Sequence, residues 1–295
     1  MKKYLSVIIA VLLLAALFGC AGNGKTQSGT EDRSETINTE TPVTEAPVEK
    51  TGDWRIVKET SYKSDGKSEY DYEYMYDENG NMIGSISYET DGRIKSHTEY
   101  ENDEKGFHLR ETEINRDGTT ESTIEYENDA NGNCQKKTVL NADGTVKYLD
   151  EYKYDANGNC IEYRMSSPEG RILTKYVYEY DVDGKQIRAT IYRDDDTVYR
   201  RQESSYDADG NLIKKMTYKG DGTLYGSVEY ELGANGKPQK GTAYNGDGSI
   251  LMLVEITYDE NGNQIEEVRY MPDGSVAGRQ VWVWTFFENA KKTGR

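Results

Sequence analysis

Tyrosine is the residue type with most to offer chemically. The chain carries 25 of them against four phenylalanines and three tryptophans, and all but Tyr4 lie beyond the amino-terminal apolar run. A tyrosine joins a flat apolar ring to a hydroxyl that donates and accepts. Rows of such rings either fill the core of a thin sheet or form platforms on which sugar rings stack. The densest group is Tyr176, Tyr178, Tyr180 and Tyr192, followed by Tyr206 and Tyr218. These six are the candidate ligand-binding residues. Catalytic constellations are scarce. His97 and His108 are the two histidines; they read as surface imidazoles, and no Cys/His spacing completes a zinc site around them. Carboxylates are abundant, but most occupy turn positions that geometry explains. No catalytic residue and no metal ligand is assigned, and the chain reads as a non-enzyme.

The acidic turns invite a calcium reading. Asp77-Glu78-Asn79-Gly80-Asn81 supplies oxygens and a glycine. An EF-hand loop, however, places ligands at positions 1, 3 and 5 with glycine at 6, whereas here the glycine comes fourth. That is the chemistry of a type I turn, with Asp first and Gly last. No cofactor is expected beyond weak calcium binding at these turns.

The elements that hold these residues follow from the glycines. One series runs Gly66, Gly92, Gly118, Gly144, Gly170, Gly222, Gly248 and Gly274, with Asp196 at its one gap. A second runs Gly80, Gly106, Gly132, Gly158, Gly184, Gly210, Gly236 and Gly262. The step within each is 26 residues, the signature of a repeat architecture. Asp precedes most second-series glycines by three, and Asp or Glu directly precedes each first-series position. A type I turn ending in a left-handed glycine makes a bulge and closes a hairpin. Between turns, apolar and aromatic residues alternate, as in Ile172, Thr174, Tyr176, Tyr178 and Tyr180, which marks half-buried strands. The expected fold is all-β: a long antiparallel meander of about eighteen strands, too many for a flat open sheet and therefore coiled into a superhelix or partial shell. Trp54 and Ile56 would begin a cap at one end, and 281–287 would form the other. Cys134 and Cys160 occupy matching places two strands apart, about 9.6 Å by strand spacing. That exceeds the reach of a disulfide, so two free thiols are expected.

The pieces YDENGN (76–81), YDANGN (154–159), YDADGN (206–211) and YDENGN (258–263) resemble the Rhs, or YD-repeat, family. The resemblance covers roughly residues 54–287 and implies strips of β-hairpins. A looser likeness to MORN-like and clostridial-type cell-wall-binding hairpin repeats accompanies it.

The amino terminus has its own logic. Lys2 and Lys3 precede an apolar run from Leu5 to Phe18, then Leu17-Phe18-Gly19-Cys20. This reads as a secretory signal over 1–19. Its end resembles the lipobox of bacterial lipoproteins, which implies cleavage before Cys20 and lipidation of that cysteine. Residues 20–52 are small and polar, a flexible lipid-anchored linker with a span of about 30 Å. The repeat array occupies 53–287 and a loose tail 288–295. A formal net charge of −17 argues against a nucleic-acid partner, which needs clustered Lys and Arg. The expected location is the extracytoplasmic side of a bacterial cell membrane. Two functions fit: a non-enzymatic surface scaffold contacting proteins or the envelope, and a glycan-binding lipoprotein that uses tyrosine rows as sugar platforms. Buried rows favour the first and an exposed stripe the second.

Overall fold

The computed structural model describes residues 52–288 and 290. The expected leader, Cys20 with its expected lipidation, nearly all of the expected linker and most of the tail lie outside them. Of the expected tail, Ala290 is buried to 5% exposure against the Gly80 turn.

Eighteen strands follow one another: β1 (Asp53–Lys63), β2 (Ser68–Tyr76), β3 (Met82–Tyr88), β4 (Ile94–Asn102), β5 (His108–Asn115), β6 (Thr120–Asn128), β7 (Cys134–Asn141), β8 (Val146–Tyr154), β9 (Cys160–Ser166), β10 (Ile172–Tyr180), β11 (Gln186–Tyr192), β12 (Val198–Tyr206), β13 (Leu212–Lys219), β14 (Leu224–Leu232), β15 (Pro238–Asn245), β16 (Ile250–Tyr258), β17 (Gln264–Tyr270) and β18 (Val276–Phe287). Each pairs antiparallel with the next, as the meander requires. All sixteen series glycines have positive φ, and so does Asp196 at φ 59°, a region that Asp tolerates better than most residues. Cys134 and Cys160 are not joined by a disulfide.

The ends of the meander behave differently from the expected pair of caps. β1 and β18 pair with each other from Asp53↔Phe287 to Lys63↔Gly278, and the sheet closes into a barrel. The closure continues the repeat. Trp284 lies 26 residues beyond Tyr258, and Ile56 lies 26 before Met82. They pair with each other as Tyr76 pairs with Met82. The barrel is therefore nine repeats, the ninth divided between the two terminal strands. Trp54 meets Phe286 edge-on at 5.4 Å, and Phe287 meets Tyr76 at 5.3 Å, so aromatic contacts reinforce the seam.

Curvature has a local cause. Every one of the pairings carries a one-residue register shift near a strand end. Bulges bend a strand and deepen its right-handed twist. Repeated round the sheet, they supply the curvature that closure needs. Eighteen strands at about 4.8 Å spacing make a ring of roughly 27 Å backbone diameter if round and without tilt.

Residues opposed in an antiparallel pair share a face. Val228, Ala243, Met252 and Val254 are mutually opposed or adjacent, are each 1% exposed, and mark the inner face. The other face carries ion pairs strand after strand: Lys58–Glu73 at 3.4 Å, Lys153–Glu162 at 2.9 Å, Arg188–Glu179 at 2.9 Å and Lys214–Glu229 at 2.7 Å. Exposed pairs of this kind add little stability each. They make the outer wall a water-facing surface, unlike the apolar band of a barrel that faces lipid.

Candidate functional site: the inner tyrosine wall

The Tyr-Asp-x-x-Gly-Asn motif is structural in every part. Gly80 N–H donates to the Asp77 carbonyl at 3.0 Å to close the turn. Asp77 Oδ1 accepts from the backbone of Asn79 and Asn81 at 2.9 and 2.8 Å, and its Oδ2 accepts from the Asn81 amide at 2.8 Å. These bonds lower the Asp77 carboxyl against the opposing effect of burial, which is the larger single influence. The same bonds recur at Asp129, Asp155, Asp207 and Asp259. The motif tyrosine reaches sideways: Tyr76 donates to the Ile56 carbonyl, Tyr154 to Cys134, Tyr180 to Cys160, Tyr206 to Gln186 and Tyr258 to Pro238, all at 2.7–2.9 Å. Asn102, Asn128 and Trp284 make the equivalent bond at their own positions. Each of these bonds ties one repeat to its neighbour. The turn oxygens are thus occupied by the chain itself, and among the described residues no three His, Cys, Asp or Glu side chains cluster to hold a metal.

The six candidate tyrosines do not form one platform. Tyr176, Tyr178, Tyr180 and Tyr206 lie on the inner face, whereas Tyr192 and Tyr218 lie on the outer. Tyr178 opposes Ala189, so positions that share a face have opposite parity on successive strands. Tyr192 is even like Tyr178 and so points the other way. Its ring sits under Lys175 Nζ at 4.5 Å, and the Tyr218 ring under the Arg201 guanidinium at 4.8 Å. Of the inner four, Tyr180 and Tyr206 make the inter-repeat bonds just described. Tyr176 and Tyr178 stack at 6.2 Å.

Those two belong to a longer wall that the sequence reading did not assemble. Tyr100 meets His108 at 5.2 Å, and His108 meets Tyr126 at 5.9 Å. Lys137 Nζ bridges the Tyr126 and Tyr152 rings at 5.0 and 5.7 Å. Tyr152 meets Tyr163 at 5.2 Å, and Tyr163 meets Tyr176 at 5.6 Å. The contacts run unbroken across the inner face from β4 to β10. On β2, Tyr70, Tyr72 and Tyr74 form a second run at 5.6 and 6.3 Å. The rings are half-buried.

Carboxylates punctuate the wall. Glu111 accepts from Tyr126 and lies 3.6 Å from His108 Nδ1. Burial would raise its carboxyl, but His108, Tyr126 and the charge of Lys137 hold it below the usual range. Asp150 accepts from Tyr163 at 2.8 Å and is raised, because burial outweighs that bond and Lys137. Glu59 accepts from Tyr74 at 3.3 Å. Burial first, then the partner carboxylate, pushes the Tyr74, Tyr126 and Tyr163 phenols well above their ordinary value. All three stay protonated as donors. Parity across each turn was the signal that would have collected these residues from sequence. It requires the bulge positions, which the alternation alone does not reveal.

No protein-family profile matches the chain, and no curated protein matches its sequence. Among solved structures it is similar to a Photorhabdus luminescens Tc holotoxin pore with a mutation in TccC3, at 16% identity and a TM-score of 0.36; the match covers 70% of this chain and 13% of that one. A porin-like protein from Bacteroides uniformis is similar at 11% identity and a TM-score of 0.44, with 78% and 96% covered. A TcdB2–TccC3 structure is similar at 14% identity and a TM-score of 0.29, with 76% and 16% covered. The chain thus spans only a small part of the two toxin chains. What its own geometry defines is a repetitive, closed, all-β scaffold.

Proposed function

We propose that this barrel is a non-enzymatic, lipid-anchored binding protein on the extracytoplasmic side of a bacterial membrane, and that it takes up an extended glycan along its inner tyrosine wall. The observation that carries this reading is the run of half-buried rings from Tyr100 to Tyr178, bridged once by Lys137 between Tyr126 and Tyr152 and edged by Glu111 and Asp150. Aromatic faces receive the apolar faces of sugars, and oriented carboxylates accept their hydroxyls. Anchoring rests on the lipobox-like residues ending at Cys20, from which the linker leads to Asp53 at the rim of the second-series turns. A glycan array probed with the chain from residue 21 tests the reading. Binding that is lost in Tyr176→Ala, with the fold intact by circular dichroism, supports it. A silent array removes it.

A protein partner is the second reading. The opposite rim carries Ile94, Val146, Leu224, Ile250 and Val276, each 37–44% exposed, one repeat or a few apart. Such a ring of aliphatics suits contact with another protein. A pull-down from the cell envelope with wild type and an Ile94→Ser/Ile250→Ser variant checks it. Partners retained equally by both would count against this rim.

A further inference from the structure

We infer that the inner wall selects glycans bearing free ammonium groups, such as chains of de-N-acetylated amino sugars; this rests on the glycan reading above. From β1 to β10 the inner face bears four carboxylates, Glu59, Glu111, Glu113 and Asp150, against one ammonium, Lys137. Each of these carboxylates has a neutral hydroxyl donor, and Glu111 also lies 3.6 Å from His108 Nδ1. Tyr74 donates to Glu59, Tyr126 to Glu111, Tyr163 to Asp150, and Ser96 to Glu113 at 3.0 Å. A hydroxyl donor orients a carboxylate and leaves its charge in place. The tyrosine faces add the negative side of a ring quadrupole, which attracts cations. Phenols beside carboxylates therefore make a wall that is hospitable to a cation and repels an anion.

The wall already holds one cation in this manner. Lys137 Nζ lies between the rings of Tyr126 and Tyr152, on a residue directly opposed to Tyr126 on one side and Asp150 on the other. Its ammonium stands in the environment that an amino sugar would find elsewhere along the wall. Tyr72 and Tyr74 beside Glu59, and Tyr163 beside Asp150, offer the same pairing of ring and carboxylate. Among the described residues no cation of the chain sits over those rings. An N-acetylated sugar stacks on the same rings but brings no charge for the carboxylates.

Titration calorimetry with a glucosamine hexamer, its fully N-acetylated counterpart and a neutral glucose hexamer tests the inference. The amine form should bind at least about tenfold tighter than the N-acetylated one, the worth of one close cation–ring or charge contact. Equal or tighter binding of the N-acetylated form overturns the selectivity while leaving the glycan reading in place. Binding of none of the three overturns both. The whole chain carries a net charge of −17, so an indiscriminate attraction for polycations must be separated from the wall. Glu59→Gln/Glu111→Gln removes only two of those charges and should abolish the preference. A preference that survives in this variant assigns it to the overall charge and overturns the proposal. Should the double variant misfold, Asp150→Asn serves instead: it keeps an acceptor for Tyr163 and should reduce the preference severalfold. An unchanged preference there overturns the proposal equally.

Discussion

Two arcs of the same barrel, built from one repeat, are lined in opposite ways. From β2 to β10 the inner face is mainly tyrosine, serine and carboxylate, with Ile124, Val139 and Lys137 among them and half-buried rings in contact. From β14 to β16 it is Val228, Tyr230, Ala243, Met252 and Val254, packed to 8% exposure or less. The charges differ too. The aromatic arc holds an excess of carboxylates, whereas the aliphatic arc and its flanks hold Lys215 and the Arg269–Glu267 pair at 3.7 Å. Burial lowers the Lys215 ammonium and raises the Glu267 carboxyl. The turns and the inter-repeat bonds are common to both arcs, so the repeat supports the ring everywhere. Only the inward side chains divide it into a part that holds itself together and a part that faces its interior with recognisable chemistry.

The largest effect should come from the aliphatic arc. Met252→Ala empties a fully buried site and is expected to cost about 3 kcal/mol. Tyr178→Ala, on a half-buried ring, should cost about half as much. Urea titration of both variants decides it, and equal losses would erase the distinction between core and wall. A sharper contrast lies in two lysines. Lys215 is 5% exposed and has no ion-pair partner among the described residues, so Lys215→Met should stabilise the barrel by about 1 kcal/mol by removing a desolvated charge. Lys137 is held by two rings beside carboxylates, so Lys137→Met should destabilise by about 1 kcal/mol. Shifts of the same sign in thermal melts would show that the arcs treat cations alike.

Tyr258→Phe deletes one inter-repeat hydroxyl and should lower stability by about 1 kcal/mol. A loss confined to one arc for such changes would mean that the repeat is not shared equally. The smallest effects are those of pH on single turns. The folded-state carboxyls of Asp77, Asp129, Asp155, Asp207 and Asp259 are lowered. Each contributes stability that is present above the unfolded value near 3.9 and is lost as pH falls through the lower folded value. Asp150 and Glu267 are raised and act in the opposite sense: they gain stability as pH falls through their folded values. Melting temperature should therefore hold or rise slightly on acidification from neutrality, then fall below about pH 4. A monotonic decline from pH 7 would contradict the two raised groups.

Strand count, turn type and spacing were all legible in the residues, because a left-handed glycine every 12 or 14 positions admits few alternatives to a hairpin meander. That Cys134 and Cys160 do not bridge to each other followed from the same register. The role of the motif tyrosine was only half legible. Its period showed that it mattered to the repeat, but its hydroxyl bond to a carbonyl 20 residues earlier exists only once neighbouring hairpins stand side by side. Grouping Tyr192 and Tyr218 with Tyr178 failed because alternation within a strand says nothing about the parity change across a bulged turn.

The sequence by itself determined a chain of eighteen hairpin-linked strands whose local geometry is set by Gly, Asp and Asn at the turns. Tertiary structure alone decided that the chain returns on itself. Closure depends on the sum of curvature over every bulge and on Ile56 meeting Trp284, a contact between residues 228 positions apart that no local rule anticipates. Once the ring is shut, each strand has an inside, and only then do Tyr126, Glu111, Lys137, Asp150 and Tyr163 become one wall.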